Sequence, residues 1–147
     1  DDSYNLGTPS RKLANLYLQN PPISTSDARL KEDISEPEEA LLRAWGKVRF
    51  QVFRFTNALK KKGEKAWLHI GLVAQEVAAA FASEGLDAQD YGLFCYDTWE
   101  EKPCVQDADG KEVQPAVKEG DMYGIRYEEA LALGAAYLRR MLEKLLS

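Results

Sequence analysis

The chain has 147 residues, 45% of them apolar and 29% charged, and its net charge of −5 argues against a nucleic-acid-binding protein, which usually carries a basic excess. No apolar run approaches the roughly 20 residues of a membrane-spanning helix, and two cysteines without a Cys-x-x-Cys pair indicate free thiols in a reducing cytoplasm. The single histidine leaves no metal-binding motif, so we expect one compact domain with an appendage and with neither metal nor cofactor.

Residues 1–25 differ from the rest of the chain, because their few apolar side chains are spread among polar residues and interrupted by glycine and proline. Leu16 and Leu18 alternate with other residues, as in a short strand. Such a segment buries too little apolar surface to fold alone. It is therefore either a disordered tail or one strand of an assembly built from several chains.

From Ser35 onward the pattern is globular and predicts an α+β fold with a small sheet, helices and a protruding polar arm. Ser35 and Glu38 form a capping box, which predicts a helix that ends near Trp45. The polar stretch 100–120 contains turn residues and predicts a long hairpin, which is the arm. Strands are predicted at 48–55, 66–73, 91–99 and 123–127, a short helix or turn at 56–63, and further helices at 74–83 and the C-terminus.

The C-terminal helix carries apolar residues at alternating spacings of four and three positions. They are Leu131, Ala135, Leu138, Leu142 and Leu145. This spacing is typical of the seam of a coiled coil, which would join several copies of the chain. Only about two heptads are present, fewer than the three or four that identify a coiled coil. An amphipathic helix that lies on its own core therefore remains the alternative.

Ser26 and Lys31 lie at the junction between residues 1–25 and the globular part of the chain. A serine hydroxyl can attack the carbonyl that precedes it, and the low entropy of approach within one chain favours this N-to-O acyl shift. A base must take the hydroxyl proton. A lysine amine does so only when it is neutral, so we expect Lys31 to be desolvated in the active state. The spacing of five residues is by itself a weak signal, because it occurs by chance in most proteins.

Four blocks in the right order resemble the peptidase S74 domain, the intramolecular chaperone auto-processing domain of phage tail spikes and tail fibres. They are LGTPSRKLANLY at 6–17, SDARLKEDI at 26–34, HIGLVAQEV at 69–77 and YGIRYEEA at 123–130. The first block resembles the strand repeat that precedes the cleavage site in this family. The second resembles the opening signature of the domain, and together the blocks cover most of the chain.

The resemblance implies a homotrimeric chaperone that assists the folding of an upstream triple β-helix and then releases itself by Ser–Lys autoproteolysis. Carried over residue by residue, Ser26 matches the nucleophile and Lys31 the general base, and the bond between Thr25 and Ser26 is the one severed. Residues 1–25 would then be the end of the passenger fibre and 26–147 the released chaperone. Its partners would be copies of itself and its own upstream segment, without nucleic acid or membrane, in the cytoplasm of a bacterial host.

Further residues of these blocks are candidate supporting groups: Asp27, Arg29, His69, Gln75 and Glu76. Acidic neighbours of Lys31 favour its charged form, so they must face away or be offset by Arg29. His69 would orient a reacting group and Gln75 would hold the oxyanion, although a purely structural histidine is the alternative. Gly134 departs from the bulkier residue expected in the last helix.

Two other functions fit the same sequence. A trimerisation or receptor-binding tip that stays on a tail fibre would use the same strands and heptads but would need no chemistry at Ser26. A hydrolase that acts on other proteins would need a substrate cleft, and the sequence contains no oxyanion motif that indicates one.

Overall fold

The structure is a computed structural model that describes residues 4–147, and it contains four α-helices and six short strands within that range. The chain divides into two compact units. The first comprises the residues up to Glu36 together with Tyr96–Met122, and the second comprises Pro37–Cys95 together with Tyr123–Ser147.

Short strands and helices confirm the predicted α+β class. The helices are α1 (Glu39–Trp45), α2 (Thr56–Lys62), α3 (Ala74–Ala82) and α4 (Tyr127–Leu146). The strands are β1 (Gln51–Phe53), β2 (His69–Gly71), β3 (Phe94–Trp99), β4 (Val105–Gln106), β5 (Glu112–Gln114) and β6 (Gly120–Ile125). They form three two-stranded sheets, β1 with β2, β3 with β6 and β4 with β5. The first and the last of these pairs are antiparallel.

The hydrophobic core of the second unit is built around α3. Val77 and Phe81 lie four positions apart on one face of this helix, and both are completely buried. Side chains of α1 and of the first turns of α4 pack into the same cluster: Leu42, Ala44, Trp45, Ala130 and Leu133. Burial of these faces, rather than the propensity of such short helices, therefore stabilises the unit.

Several predicted boundaries are wrong. Helix α1 begins at Glu39 and its N-cap is Glu38, without a side-chain hydrogen bond, so Ser35 and Glu38 do not form the predicted capping box. Strands β1 and β2 are shorter than predicted because only three residue pairs match, from Gln51 with Gly71 to Phe53 with His69. Residues 12–26 contain no strand, and Leu16 and Leu18 are exposed. A strand needs a pairing partner, and this stretch finds none within residues 4–147.

The polar stretch 100–120 forms the predicted hairpin arm in the first unit. Strands β4 and β5 pair antiparallel with an irregular register, and the residues of both are exposed. Asp107 closes the turn, because its Oδ1 accepts hydrogen bonds from the backbone N–H groups of Asp109 and Lys111, both at 2.9 Å. Gly110 completes the turn with a φ of 80°, a conformation that glycine adopts without strain.

Arg11 connects the upstream segment to the base of this arm within the first unit. Its Nη2 donates hydrogen bonds to the carbonyl oxygens of Pro103 and Pro115, each at 3.3 Å. These two carbonyls precede β4 and follow β5, so one guanidinium holds both sides of the hairpin. An antiparallel bridge between Thr8 and Arg11 fixes the backbone from which this side chain extends.

The packing of Trp45 explains why a glycine occupies position 134 in α4, which the sequence alone did not reveal. A Cβ atom at this position would approach the indole ring of Trp45 to 3.3 Å, closer than most real contacts. The absence of a side chain therefore lets Trp45 lie against α4.

We expect Gly134→Leu to destabilise the fold by about 1–3 kcal/mol, because the added atoms must displace Trp45. Ala132→Leu is the matched control, since Ala132 is exposed on the same helix. Urea unfolding followed by tryptophan fluorescence measures both free energies. Equal stability of the two variants would contradict the packing role of Gly134.

Glu84, just after α3, pairs with two cations at α1. Its carboxylate lies 2.9 Å from the Nζ of Lys47 and 3.1 Å from the Nε of Arg43. The hydrogen bond from Lys47, followed by that from Arg43, lowers the pKa of Glu84 below its ordinary value of 4.5. A carboxyl group with a lowered folded-state pKa stabilises the fold above its unfolded-state value and loses that contribution as the pH falls through the folded-state value.

We therefore expect Glu84→Gln to lower the urea midpoint at pH 7 by more than it does at about pH 3. Below about pH 4.5 the unfolded chain takes up a proton on Glu84 that the ion pairs oppose in the folded protein, so the contribution of this charge to stability shrinks as the pH falls. Urea titrations at both pH values test this expectation. If the urea midpoints of parent and variant differed by the same amount at both pH values, the charge of Glu84 would contribute nothing to stability.

Candidate functional site

The structure brings Ser26 and Lys31 together. The Nζ of Lys31 donates a hydrogen bond to the Oγ of Ser26 at a distance of 2.8 Å. A general base must lie within about 2.6–3.2 Å of the group from which it takes a proton. A neutral Lys31 amine would accept the Ser26 hydroxyl proton across this same contact.

A single 3₁₀ turn, Ala28–Leu30, makes this contact possible. Asp27 caps the turn, because its Oδ1 accepts a hydrogen bond from the backbone N–H of Arg29 at 2.9 Å. Its carbonyl accepts from the N–H of Leu30 at 3.0 Å, and the carbonyl of Ala28 accepts from Lys31 at 3.2 Å. Because a 3₁₀ helix completes a turn in three residues, the chain reverses and returns Lys31 to Ser26.

The side chain of Arg29 also binds the capping carboxylate. Its Nε lies 3.1 and 3.2 Å from the two carboxylate oxygens of Asp27, and its Nη2 donates to Oδ2 at 2.7 Å. The Arg29 side chain, and then its backbone N–H, lower the pKa of Asp27. The same contact raises the pKa of Arg29. Asp27 therefore stays charged and remains paired with Arg29.

The predicted desolvation of Lys31 does not occur in the single chain. Ser26 and Lys31 are both exposed, as is Thr25. The physical reason is that the turn Ala28–Leu30 buries none of its residues, so no apolar surface covers the amine. The contact that the reaction needs is present, whereas the water exclusion that would favour a neutral amine is absent.

His69, Gln75 and Glu76 lie in the second unit. The ring of His69 packs against the rings of Phe53 and Phe55, with centroids 5.8 and 4.8 Å apart. These contacts favour the structural interpretation of the histidine. Gln75 and Glu76 are exposed in the first turn of α3, where a carboxylate interacts favourably with the helix dipole.

The predicted seam of α4 lies away from the core of its own chain. Leu131, Leu138 and Leu142 are 55%, 62% and 58% exposed, and Ala135 and Leu145 are also exposed. The residues that α4 buries are Ala130 and Leu133. Helix α4 therefore lies on its own core, as the alternative expected, but through Ala130 and Leu133 rather than through the seam residues. The helix has two apolar faces, and one of them is unoccupied in the single chain.

Sequence reasoning missed Arg11 because its partners are 92 and 104 positions away along the chain. No local pattern signals such a contact.

Within residues 4–147 no group of three histidine, cysteine, aspartate or glutamate residues is arranged to hold a metal ion. Over the same range, the structure contains no helix with the length and apolar character needed to span a membrane.

The sequence is similar to a known protein family and to phage tail proteins. The profile of the peptidase S74 family, described as the chaperone of endosialidase, matches residues 26–86. The tail spike protein of Escherichia virus K5 is 39% identical over 146 residues, which are 97% of this chain and 22% of that protein. The chain thus spans about a fifth of the length of that relative.

Two solved structures are similar over most of the chain. The crystal structure of a novel intramolecular chaperone is 41% identical, with a TM-score of 0.69 over 81% of this chain and 99% of that one. The carboxy-terminal domain of the bacteriophage T5 L-shaped tail fibre, with its intramolecular chaperone domain, is 28% identical, with a TM-score of 0.76. That match covers 99% of this chain and 36% of that one.

Proposed function

Because this chain belongs to the peptidase S74 family of intramolecular chaperones of phage tail spikes and fibres, we propose that it releases itself by cleaving the bond between Thr25 and Ser26. Ser26 is the nucleophile and Lys31 the general base. The observation that carries this proposal is the 2.8 Å contact between the Oγ of Ser26 and the Nζ of Lys31.

The reaction proceeds in two steps. The Oγ of Ser26 attacks the carbonyl carbon of Thr25 while Lys31 takes the hydroxyl proton, and the amide nitrogen of Ser26 leaves as a protonated amine. The carbonyl of Thr25 is then held as an ester on the Ser26 Oγ, and water hydrolyses it to a carboxylate and a free hydroxyl. Ser26 is now the first residue of its chain and has no preceding bond to attack, so each chain cleaves once.

The proposed passenger is the part of the chain that ends at Thr25, and the proposed released chaperone is 26–147. The family match begins at Ser26, which supports this boundary. The exposure of Leu16 and Leu18 supports an upstream segment that pairs only with other copies, as in a triple β-helix. Synthesis would take place in the host cytoplasm, and the chaperone would be absent from the mature fibre.

A homotrimer is the proposed assembly, and the exposed seam of α4 supports it. Neighbouring chains would also supply the surface that excludes water from Lys31. Because the amine is exposed in the single chain, the proposed trimer would have to form before cleavage.

Intact-mass spectrometry of the incubated full-length chain tests the cleavage. We expect a product that begins at Ser26 to accumulate with time. A product that begins elsewhere would contradict the assignment of the nucleophile. Persistence of the uncut chain in its assembled form would instead favour a trimerisation or receptor-binding tip that stays on the fibre, which is the alternative that the exposed Lys31 supports.

A further inference from the structure

We propose that Arg29 is a positioning residue for this cleavage, which acts by keeping the carboxylate of Asp27 away from Lys31. The inference rests on the proposed function and deepens it. Its starting point is the position of Asp27, which directly follows the nucleophile and lies four residues before the base. A carboxylate near an ammonium group favours the charged form, which cannot accept a proton.

Arg29 engages both oxygens of this carboxylate. Oδ1 accepts from the backbone N–H of Arg29 at 2.9 Å and from its Nε at 3.1 Å. Oδ2 accepts from Nε at 3.2 Å and from Nη2 at 2.7 Å. A planar guanidinium suits this two-point contact, which a lysine amine could not reproduce. The strongest acceptor next to Ser26 is thus occupied.

Lys31 is left with Ser26 as its partner. Within residues 4–147 its amine forms no ion pair, although Asp27, Glu32 and Asp33 are all close in sequence. Glu32 and Asp33 follow the turn and are exposed, and the backbone of Asp33 adopts a φ of 53°, which redirects the chain. Asp27 is therefore the carboxylate that Arg29 must hold if Lys31 is to become neutral beside the hydroxyl.

The two functions of Asp27 can be separated by substitution. Its Oδ1 caps the turn, and asparagine caps as well as aspartate does. Its negative charge is harmful to the base unless Arg29 neutralises it. Asp27→Asn therefore retains the cap and removes the negative charge. Arg29→Gln retains the negative charge but removes the guanidinium that pairs with it. The double variant has the cap and no charge to release.

The experiment measures the rate at which fragment 26–147 appears between about pH 6 and pH 10 in the parent and these three variants. For Arg29→Gln we expect the midpoint of the pH–rate profile to rise by about one unit, with a roughly tenfold slower rate at pH 7. Asp27→Asn should not raise the midpoint, and the double variant should have a midpoint no higher than that of the parent, because it also lacks the carboxylate. Arg139→Gln is the matched control, because Arg139 is also an exposed arginine in an ion pair.

The outcomes separate the two hypotheses. Failure of the parent to yield 26–147 at any pH would overturn the proposed function and this inference with it. Cleavage by the parent with an unshifted Arg29→Gln profile would overturn the inference alone, even if the variant were slower, because a purely structural defect changes the rate without moving the midpoint. A double variant as shifted as Arg29→Gln would also overturn it.

Discussion

The variant Ser26→Ala is expected to remain a full-length chain under conditions in which the parent yields the fragment 26–147. Without the hydroxyl there is no nucleophile for the acyl shift, so cleavage should be lost completely rather than slowed. Denaturing gel electrophoresis and intact mass, followed over time, measure the result. Ser24→Ala is the matched control, because Ser24 is an exposed serine on the other side of the severed bond and should leave cleavage intact.

Lys31 provides the second half of this test. Lys31→Arg keeps a positive charge beside Ser26 but provides a group that stays protonated in proteins. We expect its cleavage rate to fall about 10²–10⁴-fold, as for the loss of other general bases, and Lys31→Ala to be similarly impaired. Cleavage by Lys31→Arg at the rate of the parent would show that the positive charge matters and that proton transfer does not. Cleavage by Ser26→Ala would exclude the serine mechanism altogether.

Disruption of the α4 seam should have the second largest effect. In the double variant Leu138→Glu and Leu142→Glu, carboxylates replace two leucines that are 62% and 58% exposed in the single chain. Burial of these charges between helices would be strongly unfavourable, so we expect a monomer at concentrations at which the parent forms the proposed trimer. Light scattering coupled to size-exclusion chromatography measures the mass of each species.

The control for the seam is Ala132→Glu, which adds the same charge at an exposed position of α4 outside the heptad positions. It should leave the assembly unchanged. The uncleavable background Ser26→Ala keeps both proteins full-length, so a difference in mass reports assembly alone. A seam variant that remains trimeric would mean that another surface joins the chains, and a monomeric parent would exclude the trimer.

The elements that could be predicted from the sequence are those defined by local periodicity. Helix α3 and the turn at Asp107 follow from residue spacing and turn chemistry, and both are present near their predicted positions. The capping box at Ser35 was wrong because the helix begins one turn later than the motif predicts, with Glu38 itself as the N-cap. The start of α1 at Glu39 is set instead by the burial of Leu42 and Trp45.

In the candidate site, too, the features set by local sequence could be predicted and those set by distant contacts could not. The proximity of Ser26 and Lys31 follows from a turn of three residues, so local sequence and the family resemblance could predict it. The exposure of Lys31 could not be predicted, because burial depends on which surfaces meet in the assembly. Nor could the contacts of Arg11 and the approach of Trp45 to Gly134, which join residues far apart in the chain.

The hydrogen bonds from Arg11 to the hairpin arm have a consequence for the dissociation of the two fragments after the proposed cleavage. Arg11 lies before the severed bond, and the two carbonyls that it binds lie after it. Hydrolysis at Thr25 would therefore remove the covalent link between the two pieces and leave this contact in place. If the proposed cleavage takes place, hydrolysis and dissociation would thus be separate events with separate rates, and the contacts of Arg11 with the two carbonyl oxygens would slow dissociation.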